Sequence, residues 1–172
     1  MTHTPISARF LVLVFLLLCT FGISPAAAAG HTVAPSGADF ISIQDAIDWS
    51  ASGDTVTVYS GIYAENIRLD KKISLIGIDR GSGAPVIDSG KKGNAVEILV
   101  DGCTVDGFVI RNSDLLNGIR IASDQNTIRN NTIQKNAQGI TLVSARENII
   151  SGNTITGNQG TGIALEASNG NL

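Results

Sequence analysis

Cysteine, methionine, histidine and aromatic residues are all scarce in this sequence of 172 residues. It has two cysteines, one methionine, two histidines and 5% aromatic residues. Once the leader described below is removed, Cys103 stands alone, so an internal disulfide is excluded and packing must hold the domain together. Phe108 is the only aromatic residue from Cys103 onward. This argues against a tight sugar cleft there, because sugar subsites usually offer aromatic platforms.

Charged residues are also few, and the basic ones are not clustered. Twelve Lys and Arg against fifteen Asp and Glu give a net charge of −3 at pH 7. Loss of Arg9 with the leader would change this to −4. Nucleic-acid binding needs a concentrated positive face, because contacts to phosphates supply most of the affinity. We therefore expect no nucleic-acid partner.

The chain begins with the layout of a secretory signal peptide. Met1 to Arg9 carries one positive charge, Phe10 to Leu18 is an unbroken apolar run, and Ala26 to Ala29 offers small residues for cleavage. The apolar part is too short to span a membrane comfortably. We expect residues 1–29 to be removed by cleavage near Ala28 to Gly30. The mature chain would then have no stable membrane span and would be secreted, periplasmic or held at the cell surface.

The second half of the chain repeats with a period of 21–23 residues. Asn131-Thr132-Ile133 returns as Asn153-Thr154-Ile155. The recurring apolar positions are Val105, Ile128 and Ile150; Ile110, Ile133 and Ile155; and Ile119, Ile140 and Ile163. They alternate within runs of a few residues and form no 3.6-residue stripe, which indicates short strands. A leucine-rich repeat would need a regular leucine ladder, which is absent.

Strands this short become stable when each coil lies on the previous one in parallel register, about 4.8 Å away. We therefore predict an all-β fold, a parallel β-helix with apolar columns inside. Asn tolerates a tight corner and can bond the Asn of the next coil, so we predict a structural ladder at one corner. Gly139 and Gly162 are expected to permit the sharp bend that re-enters a strand. The predicted ladder consists of Asn126, Asn148 and Asn171, with Cys103 in the preceding coil.

The segment before the coils predicts a short helix. Ser42 can cap it, with Asp45 in capping-box position. Its apolar face would be Ile43, Ala46, Ile47 and Ala51, and Gly53 would stop it. Such a helix would cover the open apolar end of the first coil. The expected division is residues 1–29 as leader, 30–54 as the segment with the capping helix, and 55–172 as coils. The ending "LEASNGNL" has no cap, so we expect truncation of a longer solenoid; the alternative is an apolar end for a partner chain.

These residues resemble a known family. The helix "IQDAID", the stretch "GDTVTVYSGIYAENIRLDKKISLIG" and the Asn-rich coils are similar to right-handed parallel β-helix proteins of the pectin-lyase-like superfamily, above all NosD-type repeat domains. The resemblance implies a right-handed β-helix, but this scaffold hosts many activities. The resemblance to NosD-type proteins implies a role in periplasmic copper handling during nitrous-oxide reductase maturation. Copper prefers thiolate, thioether and imidazole ligands, and after the leader the chain offers only His31 and Cys103.

Two patterns in the sequence are candidate sites. Asp101, Asp124 and Glu147 recur at steps of 23 residues and would place carboxylates on one outer corner, where calcium is the cation that such oxygens bind. The alternative is a solvated acidic corner in which Arg146 takes the third place. The pattern Gly-x-Tyr-x-Glu at Tyr63 and Glu65 is similar to pectin methylesterases, but their later two-aspartate phrases are missing. Tyr63 and Glu65 therefore favour a framework role.

No catalytic residue and no resident metal or cofactor is assigned. The first hypothesis is an exported, non-catalytic module, either structural or in contact with carbohydrate, with polysaccharide or other surface proteins as partners. The alternative is a fragment of a carbohydrate-active enzyme, such as a polysaccharide lyase, esterase or epimerase. A third interpretation, a periplasmic copper-handling accessory protein, has little support from the metal-ligand types present.

Overall fold

The computed structural model describes residues 27–172, so the predicted leader lies outside the described residues except for Ala27 to Ala29. Within this range the chain forms one helix, α1 (Ile43–Trp49), and sixteen strands. The strands are β1 (Gly30–Val33), β2 (Thr55–Tyr59), β3 (Ile62–Tyr63), β4 (Ile67–Leu69), β5 (Ser74–Ile78), β6 (Val86–Asp88), β7 (Val96–Ile98), β8 (Thr104–Asp106), β9 (Val109–Arg111), β10 (Asn117–Ile121), β11 (Thr127–Arg129), β12 (Thr132–Gln134), β13 (Gln138–Val143), β14 (Ile149–Ser151), β15 (Thr154–Thr156) and β16 (Ile163–Glu166).

The strands assemble into three sheets in which all pairings are parallel. The first sheet has the order β1-β2-β5-β8-β11-β14, the second β3-β6-β9-β12-β15, and the third β4-β7-β10-β13-β16. From β2 onward each coil contributes one strand to each sheet in turn. The predicted parallel β-helix is therefore confirmed. No helix within residues 27–172 has the length and apolarity that a membrane crossing requires.

The predicted apolar columns are confirmed residue by residue. Ile133 lies beside Ile110 on one side and Ile155 on the other, and Ile140 lies between Ile119 and Ile163. Column members in the middle coils, Ile133 among them, are completely buried. Burial of one such side chain contributes about 1.5–3 kcal/mol. Repetition of one residue type down a column thus builds a continuous core from strands of only three to six residues.

The coils are less uniform upstream than in the repeat. Val105 pairs with Ile128, which follows it by one predicted period. Leu75 pairs with Val105, but more residues separate these two along the chain. The added residues lie in two bends of the coil that runs from β5 to β7, at 79–85 and 89–95. The predicted period of 21–23 residues holds for the later coils. It fails here because a corner that projects into solvent can lengthen without disturbing the ladders on either side.

Helix α1 closes the amino-terminal end of the solenoid. Its buried face is Ile43, Ala46 and Ile47, as predicted. The Ser42 side chain accepts a hydrogen bond from the Asp45 amide at 3.2 Å. The helix ends earlier than the sequence suggested: Ser50 leaves helical geometry, and Ala51 is exposed. Gly53 was predicted to stop the helix, but it lies beyond the end, in the turn before β2.

A carboxylate from the first coil holds the start of this helix. The side chain of Glu65 accepts hydrogen bonds from the amides of Ile43 (3.0 Å) and Gln44 (2.9 Å) and from the Ser42 hydroxyl (3.0 Å). It thereby satisfies donors that a helix leaves without partners in its first turn. The Tyr63 hydroxyl donates to the carbonyl of Tyr59 at 2.8 Å. Both residues of the Gly-x-Tyr-x-Glu pattern are thus engaged in contacts within the framework.

Replacement of Glu65 by alanine is expected to loosen the cap. Glu65→Ala removes three hydrogen bonds at once, and we expect it to lower the free energy of unfolding by about 1–2 kcal/mol. Urea denaturation would measure the loss, and amide hydrogen exchange at Ile43 and Gln44 would locate it. Glu166→Ala, at an exposed position on the last strand, is the control and should change stability by less than about 0.5 kcal/mol. Equal effects of the two substitutions would contradict the capping role.

Candidate functional site

The asparagines at the corner between the third and first sheets form a hydrogen-bonded ladder. Asn148 Oδ1 accepts from both the backbone amide and the side-chain amide of Asn126, each at 2.9 Å. Asn171 Oδ1 accepts in the same way from Asn148, at 2.9 and 3.0 Å. The amide of Cys103 donates to Asn126 Oδ1 at 2.9 Å. Each Asn therefore satisfies the buried backbone of the preceding coil at a turn, where no strand pairing is available.

Two further ladders occupy the other two corners. Asn153 accepts from the amide of Asn131 at 3.0 Å, and Asn158 accepts from the amide of Asn136 at 3.0 Å. The first position of each of these two ladders is not an Asn. Phe108 and Ser113 stand there, and their backbone amides donate to the side chains of Asn131 and Asn136. The sequence-based prediction assigned only one of the three ladders, although Asn131 and Asn136 recur one period later as Asn153 and Asn158. The same one-period recurrence was the signal for all three.

The predicted acidic residues do not converge. Asp101 Oδ1 accepts from the amide of Asp124 at 2.8 Å, and Asp124 Oδ1 accepts from the amide of Arg146 at 2.7 Å. The third place in this column is therefore taken by Arg146. Glu147 lies one position further on, with φ of 54°, and accepts from Gln125 at 3.0 Å. The two aspartates hold the backbone of the next coil at this corner.

Each sheet carries ion pairs across neighbouring coils on its outer face, and on the third sheet Glu97 contacts both Arg120 and, at 3.5 Å, Arg68. Asp106 pairs with Arg129 at 2.7 Å on the first sheet, Asp88 with Arg111 at 3.0 Å on the second, and Glu97 with Arg120 at 3.2 Å on the third. Although partial desolvation opposes it, hydrogen bonds from Asn112, Gly90 and Arg111 hold the pKa of Asp88 below its ordinary value. The ionised Asp88 carboxylate therefore contributes to the free energy of unfolding at a pH above its unfolded pKa. This contribution is lost as the pH falls through the folded pKa.

A groove of about 390 Å³ runs along the outer face of the third sheet. It arises from a drop in side-chain size along one outward column, where Arg120 is followed in register by Thr141 and then by Ala164. Long side chains flank these small ones, so a hollow spans β10, β13 and β16. The lining residues are Asn117, Arg120, Gln138, Thr141, Val143, Thr161, Ala164 and Glu166.

The polar groups of the groove are held in place by their neighbours. Thr141 is buried in the floor, and its hydroxyl donates to Asn117 Oδ1 at 2.5 Å. Arg120 is about 30% exposed and is oriented by Glu97. Gln138 Oε1 accepts from the amide of Thr161 at 2.6 Å. This groove was not predicted from the sequence, because the residues that line it do not recur with the period of the coils; the decrease in residue size from Arg120 to Thr141 to Ala164 was the available signal.

The comparisons with known proteins place this β-helix in a family. A family model described as "Periplasmic copper-binding protein (NosD)" matches residues 47–172. The chain belongs to the NosD family. The match covers the end of α1 and every coil from β2 to β16, so the NosD assignment and the three-sheet solenoid describe the same part of the chain. Searches of curated proteins and of solved structures returned no match.

The NosD description names copper, and the side chains of residues 27–172 do not form a copper centre by themselves. This range has one His, one Cys and no Met, and within it no three His, Cys, Asp or Glu side chains are grouped to hold a metal. Cys103 is buried, and desolvation raises the pKa of its thiol. A neutral thiol is a poor ligand, because the thiolate is the form that binds metals.

Proposed function

We propose that this NosD-family chain is an exported, non-catalytic β-helix module that binds a polysaccharide along the groove of the third sheet. The observation that carries the proposal is the groove itself, a concave surface lined by hydrogen-bonding side chains from three successive coils. Family membership supports a periplasmic setting. The leader-like residues 1–29 support export.

The chemistry of the groove suits a chain of hydroxyl groups. Asn117, Gln138 and Thr141 offer amide and hydroxyl groups, and Arg120 and Glu166 add a cation and an anion at the edges. Coils repeat at about 4.8 Å, which is close to the length of one sugar ring, so successive coils can meet successive sugars. Because no aromatic residue lines the groove, contacts would be polar and weak individually. Binding strength would come from several sugars bound together.

The absence of a catalytic role is supported by how the carboxylates are used. Asp101 and Asp124 accept backbone hydrogen bonds of the next coil, and Glu97 is engaged with Arg120. Glycoside hydrolysis requires two carboxyl groups facing each other across the scissile bond. The groove has Glu166 as its one lining carboxylate. The groove therefore favours binding of a polysaccharide without hydrolysis.

A matched pair of arginine variants tests the proposal. Titration of the mature protein with neutral and uronic-acid oligosaccharides, followed by NMR shift mapping, should show binding with shifts on β10, β13 and β16. Arg120→Ala should weaken that binding roughly tenfold, because it removes a charged hydrogen-bond donor. Arg129→Ala removes an equivalent ion-paired arginine from the first sheet and should leave binding unchanged.

Three results would contradict the proposal. They are no binding of any oligosaccharide, shifts confined to the other two sheets, and equal losses in the two arginine variants. Release of unsaturated, demethylated or shortened sugars during the titration would show an enzyme and overturn the non-catalytic assignment. In that case Asp124→Asn would test whether the predicted acidic corner carries the activity.

A further inference from the structure

Asparagine followed directly by glycine occurs twice in this sequence, at Asn117-Gly118 and at Asn169-Gly170. Asparagine is a chemically labile residue. A glycine after it leaves the next backbone nitrogen unshielded, because glycine has no side chain. The two pairs therefore have the same local chemistry, but the fold places them in different surroundings.

The pair Asn117-Gly118 lies at the start of β10, where both residues are held by their neighbours. Asn117 Oδ1 accepts from the Thr141 hydroxyl at 2.5 Å, and Asn117 Nδ2 donates to Asn94 Oδ1 at 2.9 Å. Gly118 is buried, and a Cβ at its position would lie 2.8 Å from the carbonyl oxygen of Gly139. The side-chain amide of Asn117 therefore cannot turn toward the nitrogen of Gly118 unless these contacts break.

The pair Asn169-Gly170 lies at the corner after β16, and both residues are exposed. Within residues 27–172 the side chain of Asn169 makes no hydrogen bond, and the backbone amide of Gly170 donates none. The space around Gly170 is open as well, because the atoms nearest to a Cβ at its position belong to Glu147, at 3.9 Å. The side-chain amide of Asn169 can therefore rotate to meet the nitrogen of Gly170, and water reaches both groups.

We propose that Asn169 is a site of spontaneous covalent modification, at which the side-chain amide is converted to an acid through a cyclic imide. The deprotonated backbone nitrogen of Gly170 attacks Asn169 Cγ and forms a C–N bond, the Cγ–Nδ2 bond breaks, and Nδ2 leaves as ammonia. Water then opens the imide. Addition of water at Cγ restores the main chain and gives aspartate, and addition at the main-chain carbonyl gives isoaspartate. The net reaction consumes water, releases ammonia and involves no oxidation or reduction.

Isoaspartate at this position disturbs the asparagine ladder, because its main chain contains an additional methylene group. On one side of the modified residue, the Ser168 hydroxyl accepts from the amide of Ala145 at 3.0 Å. On the other side, Asn171 Oδ1 accepts from the backbone and side-chain amides of Asn148, at 2.9 and 3.0 Å. A longer path between these two anchors moves Asn171 out of register, so the amide of Asn148 loses its acceptor. Modification of Asn169 therefore loosens the corner after β16.

Peptide mapping by mass spectrometry tests the site, with the second Asn-Gly pair as an internal control. The mature chain is incubated near neutral pH at physiological temperature, and conversion of amide to acid is followed at both pairs. Asn169 should convert more than about tenfold faster than Asn117, because Asn117 must first lose its hydrogen bonds. In concentrated urea, where the fold is lost, the two rates should become similar. Asn169→Gln should remove the fast reaction, since glutamine forms the corresponding larger ring more slowly, and circular dichroism confirms that this variant is folded.

Amide hydrogen exchange tests the effect on the ladder. Modified protein is separated by ion exchange, which detects the added negative charge, and its isoaspartate is measured by enzymatic methylation. In the isoaspartate form the amide of Asn148 should exchange more than about tenfold faster than in fresh protein. The amide of Phe108, which donates to Asn131 in another ladder, should not change.

Two results of the mapping would overturn the proposed site. They are equal rates at Asn169 and Asn117 in the folded chain, and a difference between them that persists in urea, because the fold would then not be its cause. Unchanged exchange at Asn148 in the isoaspartate form would overturn the proposed loss of its acceptor.

Discussion

Asn148→Ala is expected to lower the free energy of unfolding by about 2–6 kcal/mol, the cost of two buried backbone groups left without partners. Asn148 is completely buried. Its Oδ1 accepts from the amide of Asn126, and its Nδ2 donates to the carbonyl of Ser123 at 3.2 Å. Alanine can replace neither bond, and the turn leaves no room for strand pairing. Urea denaturation of the mature chain, followed by circular dichroism, would measure the change.

Asn169→Ala is the matched control. Asn169 lies in the same coil and pairs with Arg146 through the backbone, but its side chain is exposed. Its replacement should change stability by less than about 0.5 kcal/mol. If Asn148→Ala were as mild as Asn169→Ala, the ladder would be a consequence of stacking and not a cause of it.

Gly139→Ala is expected to cost about 3 kcal/mol, the upper end of the usual cost of overpacking. A Cβ at this position would lie 2.2 Å from the carbonyl oxygen of Gly162 and 2.8 Å from Ile155. The first of these atoms belongs to the backbone of the next coil, so it cannot turn aside as a side chain would. The coils would have to separate locally, which would weaken the pairing of β13 with β16. Thermal or urea unfolding would quantify the loss.

Gly162→Ala provides a control in the adjacent coil. Its nearest neighbour would be Ile155 at 3.6 Å, an ordinary contact, and its φ is not in the left-handed region. Gly162→Ala should therefore be neutral, or stabilising by up to about 1 kcal/mol, because alanine restricts the unfolded chain. Similar losses in both variants would show that the backbone conformation of these glycines matters and not the space around them.

The glycine comparison corrects one prediction made from the sequence. Gly139 and Gly162 were expected to permit a sharp bend, but neither has a positive φ. The structural requirement at Gly139 is close approach of two coils. Sequence alone does not separate these reasons, because a glycine needed for conformation and one needed for space look the same. The distance to the neighbouring coil separates them.

Other predictions succeeded where identical residues recur and failed where a single copy or a residue count alone guided them. The Ile110, Ile133 and Ile155 column was predicted because identical residues recur at one period, and the observed register matches. The end of α1 was misplaced because a single helix has no second copy for comparison. Glu147 was aligned by counting 23 residues, whereas the corner places Arg146 beside Asp124. A shift of one residue at a turn was enough to remove it from the column.

The order of residues by itself determined that the chain is a stacked β-helix, because recurring Ile and Asn can satisfy one another only when like residues lie one above another. The family match to residues 47–172 agrees with that result. Only the tertiary structure decided where the outer surface is concave. The groove depends on the relative sizes of Arg120, Thr141 and Ala164 in neighbouring coils. This decrease in side-chain size does not repeat along the chain, so the periodicity of the sequence does not indicate it.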